Sequence, residues 1–82
     1  EKVTVVGKII RTNNIGDITF LNFHPNYRET ITVVIEKENY GKFPQPPEKF
    51  YQNKMIRVRG AVSEYDGNPQ IIVTDPKQID VL

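Results

Sequence analysis

MIRVRGAVSEY, residues 55–65, followed by Asp66-Gly67 and then by PQIIVT, residues 69–74, is the stretch whose reading decides the fold. Ile56 and Val58 face one way and Arg57 and Arg59 the other, a period of two that belongs to a strand and not to a helix. Gly60 interrupts the run. A glycine inside a strand marks a bulge, a sharp bend or a close approach by another chain segment. Asp-Gly between two such runs is a strong hairpin signal, because the tight turn that matches strand twist needs positive φ at both central residues. Residues 55–74 therefore read as a long, bent strand hairpinned to a second strand.

Outward from this hairpin the same pattern recurs. Val3 to Arg11 reads as the first strand, with Val3, Val5 and Ile9 on one side, Thr4 and Lys8 on the other, and Gly7 in the middle. Residues 12–16, TNNIG, form a turn cluster. Asp17 to Phe23 is the second strand and Thr30 to Ile35 the third, separated by the polar turn of His24, Pro25, Asn26, Tyr27 and Arg28. Pro44, Pro46 and Pro47 forbid a central strand. Pro47 to Gln52 suits a short helix with proline and an acid in its first turn, ended by Asn53. Phe43, Phe50 and Tyr51 are assigned to the plug that this segment places in one end of the core. After the hairpin, Asp75-Pro76 breaks the chain and Gln78 to Leu82 reads as a short extension.

Composition agrees. Of 82 residues, 25 are β-branched (9 Val, 10 Ile, 6 Thr), against 2 Leu and 1 Ala, which favours strands throughout. A chain of this length makes one domain and buries only about 60–65% of its unfolded surface. Five short, bent strands best conserve that small core by curling into a barrel, which also hides sheet edges. No apolar run approaches the roughly 18 residues of a membrane span. The chain has no Cys and a single His, which excludes thiolate metal sites, Fe–S clusters, cysteine nucleophiles and any motif built on two imidazoles. Carboxylates are scattered, the five glycines form no phosphate-cradling loop, and no loop has oxygen-ligand spacing. The expectation is no catalytic residue, no metal and no cofactor. The net charge of +1 makes this no polybasic chain, so any nucleic-acid reading rests on where charges are placed. The opening at Glu1, with no signal-peptide pattern, reads as a domain cut from a longer protein.

The ordered set VTVVGK (3–8), GDITFLNF (16–23), TITVVI (30–35), NKMIRVRG (53–60) and PQIIV (69–73) resembles the OB-fold. That fold is a five-stranded Greek-key barrel, all-β, with one short helix between its third and fourth strands. The resemblance covers about Val3 to Val81. It is nearest to small bacterial OB-type nucleic-acid-binding domains found as modules of multidomain proteins. Each motif is degenerate alone, and the set speaks more for fold than for function.

The resemblance implies a binding face over the second and third strands, flanked by the loops joining strands one to two and four to five. An unpaired base needs a stacking partner, worth about 1–3 kcal/mol per base, and cations to hold its phosphates. Phe20 occupies a position similar to the exposed aromatic of the anticodon-binding OB domains of some aminoacyl-tRNA synthetases, with Asn22 on its face and Leu21 and Phe23 in the core; a one-residue bulge would reverse that parity. Arg11 resembles a basic residue of the same domains, and Lys8 precedes it. Arg57 and Arg59 share one face and could track a phosphate backbone, or pair with acids such as Glu64 and Asp17 instead. Tyr27 and Arg28 on a loop tip, and Tyr65 beside the hairpin turn, complete the candidates. The expected function is an accessory module binding single-stranded DNA or RNA with little sequence preference. The alternative is an OB domain that docks a protein partner or another domain of its own chain and binds no nucleic acid.

Overall fold

The computed structural model describes residues 2–24, 31–44 and 46–82, apart from the side chain of Tyr65. The strands are β1 (Lys2–Lys8), β2 (Arg11–Asn14), β3 (Ile18–Asn22), β4 (Thr32–Glu36), β5 (Met55–Tyr65), β6 (Asn68–Ile72) and β7 (Ile79–Val81). A 3₁₀ helix, Lys37–Lys42, and a one-turn helix α1, Pro47–Phe50, lie between β4 and β5, and a second 3₁₀ turn, Pro76–Gln78, precedes β7. The strands make a curled, barrel-like sheet in the order β1-β5-β6-β4-β3-β2, with β7 added on β5. All pairings are antiparallel except β4 with β6, which is parallel.

The count of strands corrects the expectation of five: the described residues form seven. One difference lies at Ile9 and Ile10, where the first strand breaks. Ile9 N donates to Lys54 O (2.9 Å) and its carbonyl accepts from Asn53 N (2.7 Å), while Ile10 N donates to Asn22 O (3.0 Å). The chain thus changes partners from β5 to β3 between adjacent residues. Gln52 holds the bend: its Nε2 donates to Ile10 O at 2.9 Å and its Oε1 accepts from Thr12 Oγ1 at 2.9 Å. The helix expected to run to Gln52 ends at Phe50, with Tyr51 as its cap, and Asn53, three residues past its last residue, sits in the left-handed region (φ 67°), which asparagine tolerates better than most residues.

The other difference is the C-terminal segment, an expected extension that is a strand. Asp75 caps the Pro76–Gln78 turn by accepting from Lys77 N at 2.8 Å. Gln78 Oε1 accepts from Thr74 N (2.9 Å) and Asp75 N (3.2 Å), and its Nε2 donates to Arg59 O at 2.9 Å. This knot of bonds turns the chain back so that Ile79 and Val81 pair with Val58 and Ile56.

Both mid-strand glycines face inward and mark close approaches. A Cβ on Gly7 would lie 2.9 Å from Phe23 Cδ1, and one on Gly60 would lie 2.6 Å from Ile71 Cγ2. Their neighbours' side chains fill the space instead. The hairpin after β5 turns on Asp66 (φ 53°) and Gly67 (φ 79°), as the Asp-Gly pair anticipates. Pro69 is tolerated in β6 because β4 begins its pairing only at Gln70, so no ladder donor is lost on that side.

The core is Ile9, Leu21, Val33, Ile35, Phe43, Tyr51, Ile56, Val58, Ile71, Val73 and Ile79, with Val3, Val5, Phe23, Ile31, Tyr40 and Val62 packed against it. Thr19 also points inward; its hydroxyl donates to Tyr40 Oη at 2.7 Å. Phe50 departs from the expected plug. It is 36% exposed, stands edge-on to Tyr51 with centroids 4.9 Å apart, and carries Lys54 Nζ 4.9 Å above its ring. The helix is one turn long and buries Pro47, and Tyr51, just after it, takes the inward place that Phe50 was expected to share.

Burial pushes the Tyr51 phenol above its ordinary value. The fold therefore favours the neutral form, so this stabilisation is complete below the unfolded value of about 10 and is lost as pH rises through the higher folded value. Denaturant titrations at pH values on either side of about 10 are expected to show alkaline destabilisation that Tyr51→Phe reduces. An unchanged alkaline slope in the variant would remove Tyr51 as its source.

Candidate nucleic-acid interface

The outer face of β2, β3, β4 and β6 carries the site. Strand register lays two rows across it. One row runs Asn13, Phe20, Val34, Ile72, and the next Arg11, Asn22, Thr32, Gln70. Successive residues of a strand point to opposite faces, so the burial of Leu21, Val33, Ile35 and Ile71 in the core sends Phe20, Asn22, Thr32, Val34 and Gln70 outward. The β5–β6 hairpin forms one wall. Together they enclose a groove of about 570 Å³ lined by Arg11, Thr12, Asn13, Phe20, Asn22, Thr32, Asp66, Asn68, Pro69 and Gln70.

Among the described residues the lining is amide- and hydroxyl-rich, with one aromatic ring, one cation and one carboxylate. Asn22 and Thr32 form its best-defined polar element. Each is only 7% exposed, and Thr32 Oγ1 donates to Asn22 Oδ1 at 3.0 Å. At the far end of the same face Ile18 pairs with Glu36, and Asp17, Glu36 and Glu38 surround a shallow depression with Lys37. The face thus differs in charge along β3, acidic near Ile18 and balanced near Arg11, where Asp66 offsets the guanidinium among the described residues.

The groove gathers three of the candidates read from sequence: Arg11, Phe20 and Asn22. Lys8 is exposed at the end of β1, opposite Met55, and does not line it. Arg57 and Arg59 lie on the part of β5 that pairs with β1 and β7. Arg57 Nη2 meets Asp80 Oδ2 at 3.1 Å, and Arg59 Nη2 donates to Lys77 O at 2.8 Å while lying 3.9 Å from Asp80. Their partner is the terminal segment, neither Glu64 nor Asp17. These exposed contacts are worth at most about 1 kcal/mol each. Tyr27 and Arg28 lie outside the described residues, as does the side chain of Tyr65, whose backbone pairs with Asn68 at the groove wall. Thr12, Asn13, Thr32, Asp66, Asn68, Pro69 and Gln70 were not singled out from sequence. Strand parity offered a signal for Thr32 and Gln70, but only register places them beside Asn22.

No group of three or more acidic or histidine side chains is placed to hold a metal among the described residues. No helix among them is long and apolar enough to cross a membrane. Compared with known proteins, the chain matches no family model and no curated protein sequence.

Proposed function

We propose that the chain is an OB-type barrel that binds single-stranded nucleic acid in the β2–β3–β4–β6 groove, weakly, as an accessory module of a larger protein. The fold part is supported by the pairing order. Taken as one strand bent at Ile9 and Ile10, β1 and β2 join the two ends of the sheet order, and β3, β4, β5 and β6 supply the other four strands. The helical segment between β4 and β5 stands where the OB helix belongs, and β7 is an addition.

The observation that carries the binding reading is Phe20, a half-buried aromatic turned away from the core into a groove with Asn22 beside it and Arg11 at the rim. A base can stack on the ring while its edge meets the amide. With Arg11 as the groove cation among the described residues, about one or two phosphates are engaged, giving a log–log salt slope of about −0.7 to −1.4. The acids near Ile18 keep phosphates off that end, so the strand crosses β3 close to Arg11.

Fluorescence anisotropy with labelled oligo-dT and a matched duplex tests this. Single-strand binding in the micromolar range that weakens with salt, and little duplex binding, is expected. A second reading, a docking surface for a protein or for another domain, is favoured by Asp66 in the groove and by Arg57 and Arg59 lying outside it. Absence of binding to either oligonucleotide at low salt would leave only that reading.

A further inference from the structure

We infer that the outer face of β1, β5 and β7, which shares no residue with the groove, is a docking surface for a short acidic, aliphatic segment of a protein partner. Strand register builds the face. One row runs Lys8, Met55, Leu82 and the next Val6, Arg57, Asp80, with Arg59 one step further along β5, opposite Thr4. Successive residues of a strand alternate between faces, so the burial of Ile56, Val58 and Ile79 sends these side chains outward. Val6, Met55 and Leu82 are between 46% and 58% exposed. Leu82 stands directly opposite Met55 and Val6 diagonal to it, within reach of one another across the strands. Three of the large apolar side chains that the fold leaves in solvent are thus neighbours.

Charge on this face is one-sided. Where β5 pairs with β1 and β7, the outward positions carry Lys2, Lys8, Arg57 and Arg59 against Asp80 among the described residues. Asp80 Oδ2 is shared, 3.1 Å from Arg57 Nη2 and 3.9 Å from Arg59 Nη2. One carboxylate balances one guanidinium, so a positive excess remains, and carboxylates on a partner complement it. The same positions carry no aromatic ring for a base to stack on. They carry aliphatic side chains instead, among them a methionine that adapts to the shape it meets, which selects protein over nucleic acid. Size selects a segment. From Met55 to Ala61 β5 rises about 20 Å, and three strands span about 10 Å, a footprint of about 200–300 Å² against the roughly 800 Å² per partner of a stable complex. A second copy of the chain is therefore not held here, and the affinity for a single segment is weak.

The test is a titration of the isotope-labelled protein, followed in its amide NMR spectrum, with a peptide in which leucine pairs alternate with runs of glutamate. Such a surface reads charge and aliphatic content rather than an exact sequence, so a generic peptide is a sufficient probe. Wild type is expected to bind it with a Kd on the order of 0.1–1 mM, with shifts at the amides of Val6, Met55 to Arg59 and Asp80 to Leu82. Peptides with lysine for glutamate, or serine for leucine, are expected to bind about fivefold more weakly or worse. Arg59→Gln and Met55→Ser are each expected to weaken binding about threefold. Asp80→Asn removes the competing carboxylate and is expected to tighten it about two- to fivefold, a gain that loss of folding cannot produce. Oligo-dT is expected to leave these amides unmoved. Equal binding of the lysine peptide, an affinity unchanged in both Arg59→Gln and Asp80→Asn, shifts around Phe20 in place of this face, or no binding at about millimolar peptide overturns the inference. Shifts at Arg57 and Arg59 with oligo-dT would assign the face to nucleic acid and overturn it as well.

Discussion

Gly60→Val is expected to lower the melting temperature by roughly 12–24 °C, a loss of about 3 kcal/mol. Gly60 faces inward where β5 leaves β1 and passes to β6. A Cβ there already falls 2.6 Å from Ile71 Cγ2 and 3.2 Å from Gln78 Nε2. The first neighbour is a stiff β-branched side chain, fully buried. The second belongs to the residue that ties the tail to Arg59. Neither retreats cheaply, and valine adds two further carbons. A chain of 82 residues has a total stability of roughly 4–12 kcal/mol, so much of it is at stake. The cause is separable by a double-mutant cycle read by thermal and urea unfolding. In an Ile71→Ala background the Cγ2 is gone, and Gly60→Ala should cost about 1–2 kcal/mol less than in wild type. If Gly60→Ala is equally costly in both backgrounds, contact with Ile71 is not the reason for the glycine.

Phe20→Ala is expected to weaken single-strand binding by about tenfold or more, the loss of one stacked base, with little effect on melting. Phe20 stands outside the core, whereas its neighbour Leu21 is wholly buried. The pair therefore makes a matched control. Leu21→Ala is expected to cost about 2–5 kcal/mol of stability by emptying a core position, while Phe20→Ala spares the fold and removes the platform. Phe20→Tyr, which preserves a π-face, should retain binding. Unchanged oligo-dT affinity in a folded Phe20→Ala protein would move the site elsewhere on the chain, whatever Arg11 does.

Alternation makes most of the strands legible in the sequence. Ile56 and Val58 against Arg57 and Arg59 assign faces by parity alone. The second strand was the ambiguous one, since both of its sets carry large apolar side chains. Thr19 settles it: a threonine can be fully buried because Tyr40 accepts from its hydroxyl, a contact between residues that sequence does not bring together. Strand number was not legible for a similar reason. The break at Ile9 and Ile10 is enforced by Gln52 and Asn53, some forty residues on. The strand at Ile79–Val81 depends on the turn knotted by Asp75 and Gln78. Arg57 and Arg59 look available until that strand forms and brings Asp80 to them. The groove was half legible. Phe20 and Asn22 share one parity of one strand, but Thr32 meets Asn22 only through the register of β3 with β4, and Gln70 joins them only through the parallel register of β4 with β6, neither of which a local pattern encodes.

The latch between Gln52 and the bend at Ile10 also bears on how quickly the chain finds its native state. Three pairings join consecutive strands, β2 with β3 around Gly16, β3 with β4, and β5 with β6 around Asp66 and Gly67. Others join distant segments: Lys2 with Ala61, Thr32 with Gln70, and Gln52 with Thr12. Loop-closure entropy for such pairings is met before their contacts form, which places proteins of this kind among slow two-state folders, on the order of milliseconds to seconds. The bend at Ile9 and Ile10 needs β3 and the 52–54 segment in position, so it is expected to form late on that route. Substitutions at the latch, Gln52 and Thr12, are accordingly expected to accelerate unfolding more than they slow folding, which stopped-flow unfolding and refolding rates would show.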